Sequence, residues 1–122
     1  MSVQTIEAVS AKLLDLHREL IEVERHAYER VHGRLSPAEL LDNLIHHPQF
    51  AWLRPLSTLI AEADVAAEAD DPEERDAWLA AVRALLTPDP EGADFQRRYA
   101  ERLQESPGVV VAHAAVLGVL GR

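Results

Sequence analysis

Apolar residues recur at alternating spacings of three and four along the first part of the chain, the period of one face of an α-helix. They are Ile6, Val9, Leu13, Leu16, Leu20, Val23 and Ala27. A second stripe beside the first widens the apolar arc, and it consists of Leu14, His17, Ile21, Glu24, Tyr28 and Val31. We therefore predict a long first helix that contacts more than one neighbour. It ends at Gly33, a residue type favoured just beyond helix C-termini.

Three later helices are predicted to begin where a capping residue precedes a proline. The pairs are Ser36-Pro37, Asp71-Pro72 and Ser106-Pro107. Glu39 completes a capping box with the first of these pairs, and Pro48 disfavours helical geometry at His47, so this helix is short. A turn through Trp52 then leads into a helix from about Arg54. A further helix is predicted after the proline-rich loop at 87–92, with Asp94 as its cap.

The last helix is predicted to follow Pro107, which breaks the C-terminal element. Its expected buried residues are Val110, His113, Leu117 and Leu120. The period-two alternation of a β-strand occurs only in the short run at 109–111, where the surrounding helical spacing favours a helix. We predict an all-α fold, a four-helix-bundle-like single domain over residues 1–122. One short extra helix follows Gly33.

Composition narrows the function classes. The chain has 122 residues, 48% of them hydrophobic, and no cysteine, which excludes disulfides, thiolate zinc sites and iron–sulfur clusters. The net charge is −9, and the arginines are scattered rather than clustered. Since nucleic-acid phosphates repel such a chain, we expect no nucleic-acid partner.

The sequence also bears on location. The start, MSVQTIEAVSAK, lacks the basic and then apolar profile of a signal peptide. The longest nearly uncharged run, Val109 to Gly121, is shorter than the roughly 20 residues that span a bilayer. We expect a cytoplasmic protein with no membrane partner.

Catalytic and cofactor motifs are missing from the sequence. The serines lack a nucleophile elbow, and the five glycines are isolated, without a phosphate-binding pattern. Carboxylate-bridged di-metal bundles need two Glu-x-x-His pairs, whereas Glu29-x-x-His32 is the only one here. We predict a protein that is not an enzyme and has no cofactor and no metal site.

Four residues around one predicted corner form a candidate ligand-binding site: His46, His47, Trp52 and Arg54. Adjacent histidines on a helix point about 100° apart, so they bind one ion together only where the helix ends. The alternative for the imidazoles is capping of the helix C-terminus. Arg54 either stacks on the indole and grips an acidic group or pairs with a neighbouring helix.

A second candidate is a buried polar cluster of His17, Glu24, Tyr28 and His113, polar residues on otherwise apolar helix faces. Buried polar groups need hydrogen-bond partners, and such a cluster either holds a ligand or forms satisfied contacts between helices. Glu24 and Tyr28, four residues apart, are placed to pair with each other.

Two main functional hypotheses follow, beside a weaker third in which a histidine acts as the base of an enzyme. The first is a non-enzymatic interaction or regulatory module that self-associates as a homodimer through helix faces, with another protein as an alternative partner. It rests on the wide apolar arc of the first helix and the apolar last helix. The second is a bundle that uses histidines to bind a metal, haem or a small ligand.

Overall fold

The computed structural model describes residues 3–121, and the side chains of residues 5–121. This part of the chain contains seven helices and no strand. The helices are α1 (Val3–His32), α2 (Pro37–His46), α3 (Pro48–Ala51), α4 (Arg54–Glu68), α5 (Pro72–Leu85), α6 (Asp94–Glu105) and α7 (Pro107–Leu120). The predicted all-α fold is confirmed.

Helix α1 lies at the centre of the fold. Its predicted stripe supplies five core residues that are fully inaccessible to solvent: Ile6, Val9, Leu13, Leu16 and Leu20. The helix packs most extensively against α7 and α4 and also contacts α3. The prediction that it touches more than one neighbour is therefore confirmed.

The helix starts follow their capping residues. Ser36 and Glu39 form the complete capping box at α2. Ser106 Oγ accepts a hydrogen bond from the backbone N–H of Val109 at the start of α7, 3.3 Å away. At α6 the prediction was wrong, because Asp94 is the first helical residue and the cap position is held by Ala93. The Asp94 carboxylate instead pairs with two arginines one turn further along α6.

The chain turns sharply between α2 and α4. Pro48 ends α2 as predicted, since His47 has extended backbone angles (φ −85°, ψ 131°). The predicted turn before Arg54 contains α3, a single helical turn of 4 residues. Helix α2 contains no buried residue and packs mainly on α3. It lies on the outside of the fold.

Helices α6 and α7 meet at Ser106 with a bend of 118°. This confirms the predicted break before Pro107. The predicted buried face of α7 was in part wrong. The buried residues are Val109, Ala112, Val116 and Leu120, whereas Val110 is 45% exposed and His113 and Leu117 are only partly buried. Because α7 is apolar on nearly every side, its sequence pattern does not mark which face turns inward.

Among the helices of residues 3–121, none is by itself both long and apolar enough to cross a membrane. Only α6 and α7 taken together meet the length and composition required, and they are bent apart.

Candidate functional site

The two adjacent histidines of the predicted ligand site have different surroundings. His46 lies on the exposed side of α2, with Nδ1 3.2 Å from a carboxylate oxygen of Asp42. His47 caps α3, where its Nδ1 accepts a hydrogen bond from the backbone N–H of Gln49 at 3.1 Å. Its ring also meets Tyr28 edge-on at 5.2 Å between centroids. The two imidazoles serve separate structural contacts.

Trp52 and Arg54 both line a groove of about 380 Å³ together with Asp94 and Phe95, but their polar contacts differ. The indole of Trp52 is only 4% exposed, and the cation beside it is the guanidinium of Arg102, 5.9 Å from the ring centroid. Arg54 is exposed and donates to the backbone carbonyl of Ile45 at 3.0 Å, near the end of α2. Arg54 therefore contacts a neighbouring helix.

Glu24, from the predicted polar cluster, forms a buried ion pair. It is the one buried charged residue of the described chain, at 1% exposure. Arg102 donates to both of its carboxylate oxygens over 3.2 Å, and Trp52 Nε1 donates to Oε1 over the same distance. Burial alone would lower the pKa of Arg102, but hydrogen bonding to Glu24 and its negative charge raise it. This network joins α1, α6 and the corner before α4, and Tyr28 takes no part in it.

Tyr28 and His113 contact different residues and do not join the Glu24 network. Tyr28 packs against His32, with ring centroids 4.4 Å apart, and against His47. His113 Nδ1 lies 2.6 Å from the hydroxyl oxygen of Tyr99, a fully buried residue. Burial raises the pKa of Tyr99 and lowers that of His113, so the phenol donates to a neutral imidazole. This pair ties α6 to α7.

His17 faces Ser57 from across the α1–α4 interface. His17 Nε2 and Ser57 Oγ are 2.9 Å apart, and burial lowers the pKa of His17, which keeps the imidazole neutral at pH 7. Ser57 Oγ also donates weakly to the Leu53 carbonyl oxygen at 3.4 Å. The sequence did not point to Ser57, because 40 residues separate it from His17 and no motif surrounds it.

A cavity of about 320 Å³ opens beside this pair, between α1, the end of α2 and the start of α4. Its lining residues are His17, Leu44, Ile45, Phe50, Leu53, Arg54 and Ser57. The cavity thus brings together His17 and Arg54, one residue from each of the two predicted sets.

A larger groove of about 540 Å³ runs between α1 and α6, and two of the three arginines that line it are paired. Arg102 is bound by Glu24 and Glu105, and Arg98 by Asp94. Glu24 and Glu105 line the groove themselves and offset most of the positive charge that Arg30, Arg98 and Arg102 bring to it.

Metal ligation finds no support in residues 3–121, where no group of three or more His, Asp or Glu is placed to hold an ion. In the Glu29-x-x-His32 pair, the Glu29 carboxylate accepts from Arg25 at 2.9 Å and from the backbone N–H of Leu35 at 2.8 Å. His32 stacks on Tyr28.

No protein-family model, curated protein or solved structure matches the chain, so its function has to be inferred from its own residues.

Proposed function

We propose that this protein is a non-enzymatic interaction module that forms a homodimer through α2. The observation that carries the proposal is the exposure of an amphipathic helix. Four of the 10 residues of α2 are Leu or Ile, yet none of the ten is buried. Leu41 is 60% exposed and Ile45, one turn later, is 53% exposed. Contiguous exposed apolar residues of this kind mark interaction surfaces.

The apolar face of α2 is wider than the part of the helix that packs against the rest of the protein. Leu40 and Leu44 are half-buried against the fold, while Leu41 and Ile45 lie on the adjoining side and face solvent. Polar residues cover the rest of the helix surface, where Asp42 and His46 contact each other. The exposed apolar strip therefore has a defined edge, as expected of a helix that packs on a partner.

Charge favours a second copy of this chain as the partner. The whole chain carries −9, so two copies repel each other over most of their surfaces. Over residues 33–54, Arg34 and Arg54 balance Glu39 and Asp42, which gives two positive and two negative charges and a net charge of zero with neutral histidines. Two copies therefore approach each other through the α2 region with little repulsion.

The size of α2 sets the expected affinity. Its 10 residues extend about 15 Å, whereas a standard interface buries about 800 Å² per partner. The contact therefore has to extend onto α1, where Leu14 is 46% exposed one turn before His17. We expect a dimer with a dissociation constant on the order of micromolar, suited to regulated association.

A cytoplasmic location belongs to the same proposal, because a chain without cysteine needs no oxidising compartment.

The test is sedimentation velocity over a concentration series, with wild type compared with Leu41→Glu. The substitution places a charge in the exposed strip without touching the core, so we expect it to shift the mass from dimer to monomer. Val65→Glu is the matched control, because Val65 is 68% exposed on α4, away from α2. A wild-type chain that stays monomeric up to about 100 μM would overturn the proposal. Equal loss of mass in both variants would place the interface elsewhere.

A further inference from the structure

We propose that the cavity between α1, α2 and α4 binds a small aliphatic monocarboxylate, with Arg54 holding the carboxylate and the apolar walls holding the chain. Ile45 belongs both to this cavity and to the exposed strip of α2, but the ligand would bind within a single chain. The proposal rests on the make-up of the walls, the state of Arg54 and the polar pair His17 and Ser57.

The walls of the cavity are mostly apolar. Four of its seven lining residues are Leu44, Ile45, Phe50 and Leu53. Phe50 and Leu53 are fixed in the core at 1% and 2% exposure, so this wall is preformed. A volume of about 320 Å³ lies at the small end of ligand pockets, which range from ~300 to 1,000 Å³. It suits a short alkyl chain.

Arg54 gives the cavity a positive charge, and it also lines the neighbouring groove that contains Asp94. Among the described residues, Arg54 donates one hydrogen bond, to the Ile45 carbonyl. This bond uses one nitrogen and leaves the other guanidinium nitrogens available to a ligand. No acid lines this cavity, in contrast to the groove beside Arg102. A guanidinium matches a carboxylate with two parallel hydrogen bonds. One cation beside apolar walls selects a ligand with one negative charge at one end.

The His17 and Ser57 pair adds hydrogen-bonding capacity without adding negative charge. Both side chains line the cavity, and they bond to each other over 2.9 Å. When His17 Nε2 donates to Ser57 Oγ, the single hydroxyl proton of Ser57 is able to leave its weak bond to the Leu53 carbonyl, 3.4 Å away, and donate to a carboxylate oxygen. Acids in their place would repel a carboxylate ligand, so the neutral pair is compatible with one.

The experiment compares two probes of equal chain length, sodium hexanoate and hexan-1-ol, by amide NMR titration of the full chain. We expect saturable shifts around residues 44–57 with a hexanoate dissociation constant on the order of 1 mM. Hexanol should bind the same walls about tenfold more weakly, since it lacks the charge.

Arg54→Gln should weaken hexanoate binding about tenfold and leave hexanol binding unchanged. Arg54→Lys keeps the charge but loses the two parallel hydrogen bonds, so its hexanoate affinity should lie between those of wild type and Arg54→Gln, which separates loss of charge from any loosening of α2. Arg18→Gln is the matched control, because Arg18 is an exposed arginine on α1 that does not line this cavity. Its hexanoate affinity should equal that of wild type.

Two outcomes would overturn the proposal. One is the absence of saturable shifts up to about 10 mM hexanoate. The other is equal affinity for the acid and the alcohol with no effect of Arg54→Gln, which would leave only an apolar cavity. Neither outcome affects the dimer test, because Leu41→Glu changes α2 without changing the cavity lining.

Discussion

The indole N–H of Trp52 donates to the carboxylate of Glu24 over 3.2 Å, inside the core. These two residues lie 28 positions apart, and their bond fixes the corner before α4 against the middle of α1. Arg102 closes the network from α6. A buried carboxylate is tolerated here because a guanidinium cation and an indole N–H both donate hydrogen bonds to it.

Removing one partner of this network should be costly. Arg102→Met leaves the 2%-exposed carboxylate of Glu24 with only the indole, and breaking a buried pair in this way costs about 3–5 kcal/mol. The double variant Glu24→Leu with Arg102→Met removes both charges, and we expect it to recover most of that loss. Urea denaturation gives the four free energies of unfolding that the comparison needs.

The control for that series is an arginine whose ion pair is exposed. Arg97 pairs with Asp94 within α6, and its side chain is 47% exposed. Arg97→Met should change the free energy of unfolding by less than about 1 kcal/mol. A loss for Arg102→Met as small as this would contradict the account of the buried pair.

Helix positions were predictable from the sequence because their signals are local. The capping box of Ser36 and Glu39 is complete within four residues, and Gly33 stops α1 with a φ of +87°. The core stripe of α1 was also predictable, since it alternates with polar residues. The buried face of α7 was not, because Val110 and Val109 have the same chemistry and only packing against α1 distinguishes them.

The candidate sites were less predictable because their contacts are long-range. Glu24 was identified as a polar residue on an apolar face, but its partner Arg102 lies 78 positions away. His17 was singled out in the same way, and nothing in the sequence linked it to Ser57 or to Arg54. The cavity is lined by residues of four helices, so the sequence showed which residue types were candidates but not that they meet in space.

Acidification should destabilise the protein through its two half-buried histidines. Burial lowers the pKa of His17 and of His113 below the ordinary value of 6.5. As the pH falls from 6.5 through the lower pKa of the folded state, the unfolded chain binds protons that the folded chain does not, so unfolding is favoured. We expect the melting temperature to be steady from about pH 8 to pH 7 and to decrease toward about pH 5.

The double variant His17→Asn with His113→Asn should flatten this dependence between about pH 7 and pH 5, even if its overall stability is lower. The single variant His26→Asn is the comparison, because His26 is exposed on α1. A wild-type melting temperature that rises on acidification over this interval would contradict the prediction.

The hydrogen bond between Tyr99 and His113 should contribute measurably to the packing of α6 on α7. Tyr99→Phe keeps the buried ring but leaves Nδ1 of His113 without its donor, which costs about 1–3 kcal/mol. Tyr28→Phe is the control, since the Tyr28 hydroxyl forms no hydrogen bond within the described part of the chain. The substitution also keeps the ring contacts of Tyr28. Equal free energies of unfolding for the two variants would show that the Tyr99 hydroxyl is not a required partner.

Two glycines should respond to alanine in opposite directions. Gly118 lies within α7, and a Cβ added there meets no atom within 4 Å. Because glycine in a helix is less favourable than alanine, Gly118→Ala should stabilise the protein by about 0.5–1 kcal/mol. Gly33 also has free space, but its φ of +87° is unfavourable for alanine, so Gly33→Ala should destabilise by about 1 kcal/mol. Thermal denaturation of both variants tests the pair, and a loss of stability in Gly118→Ala would mean that α7 is more closely covered at that position than the structure shows.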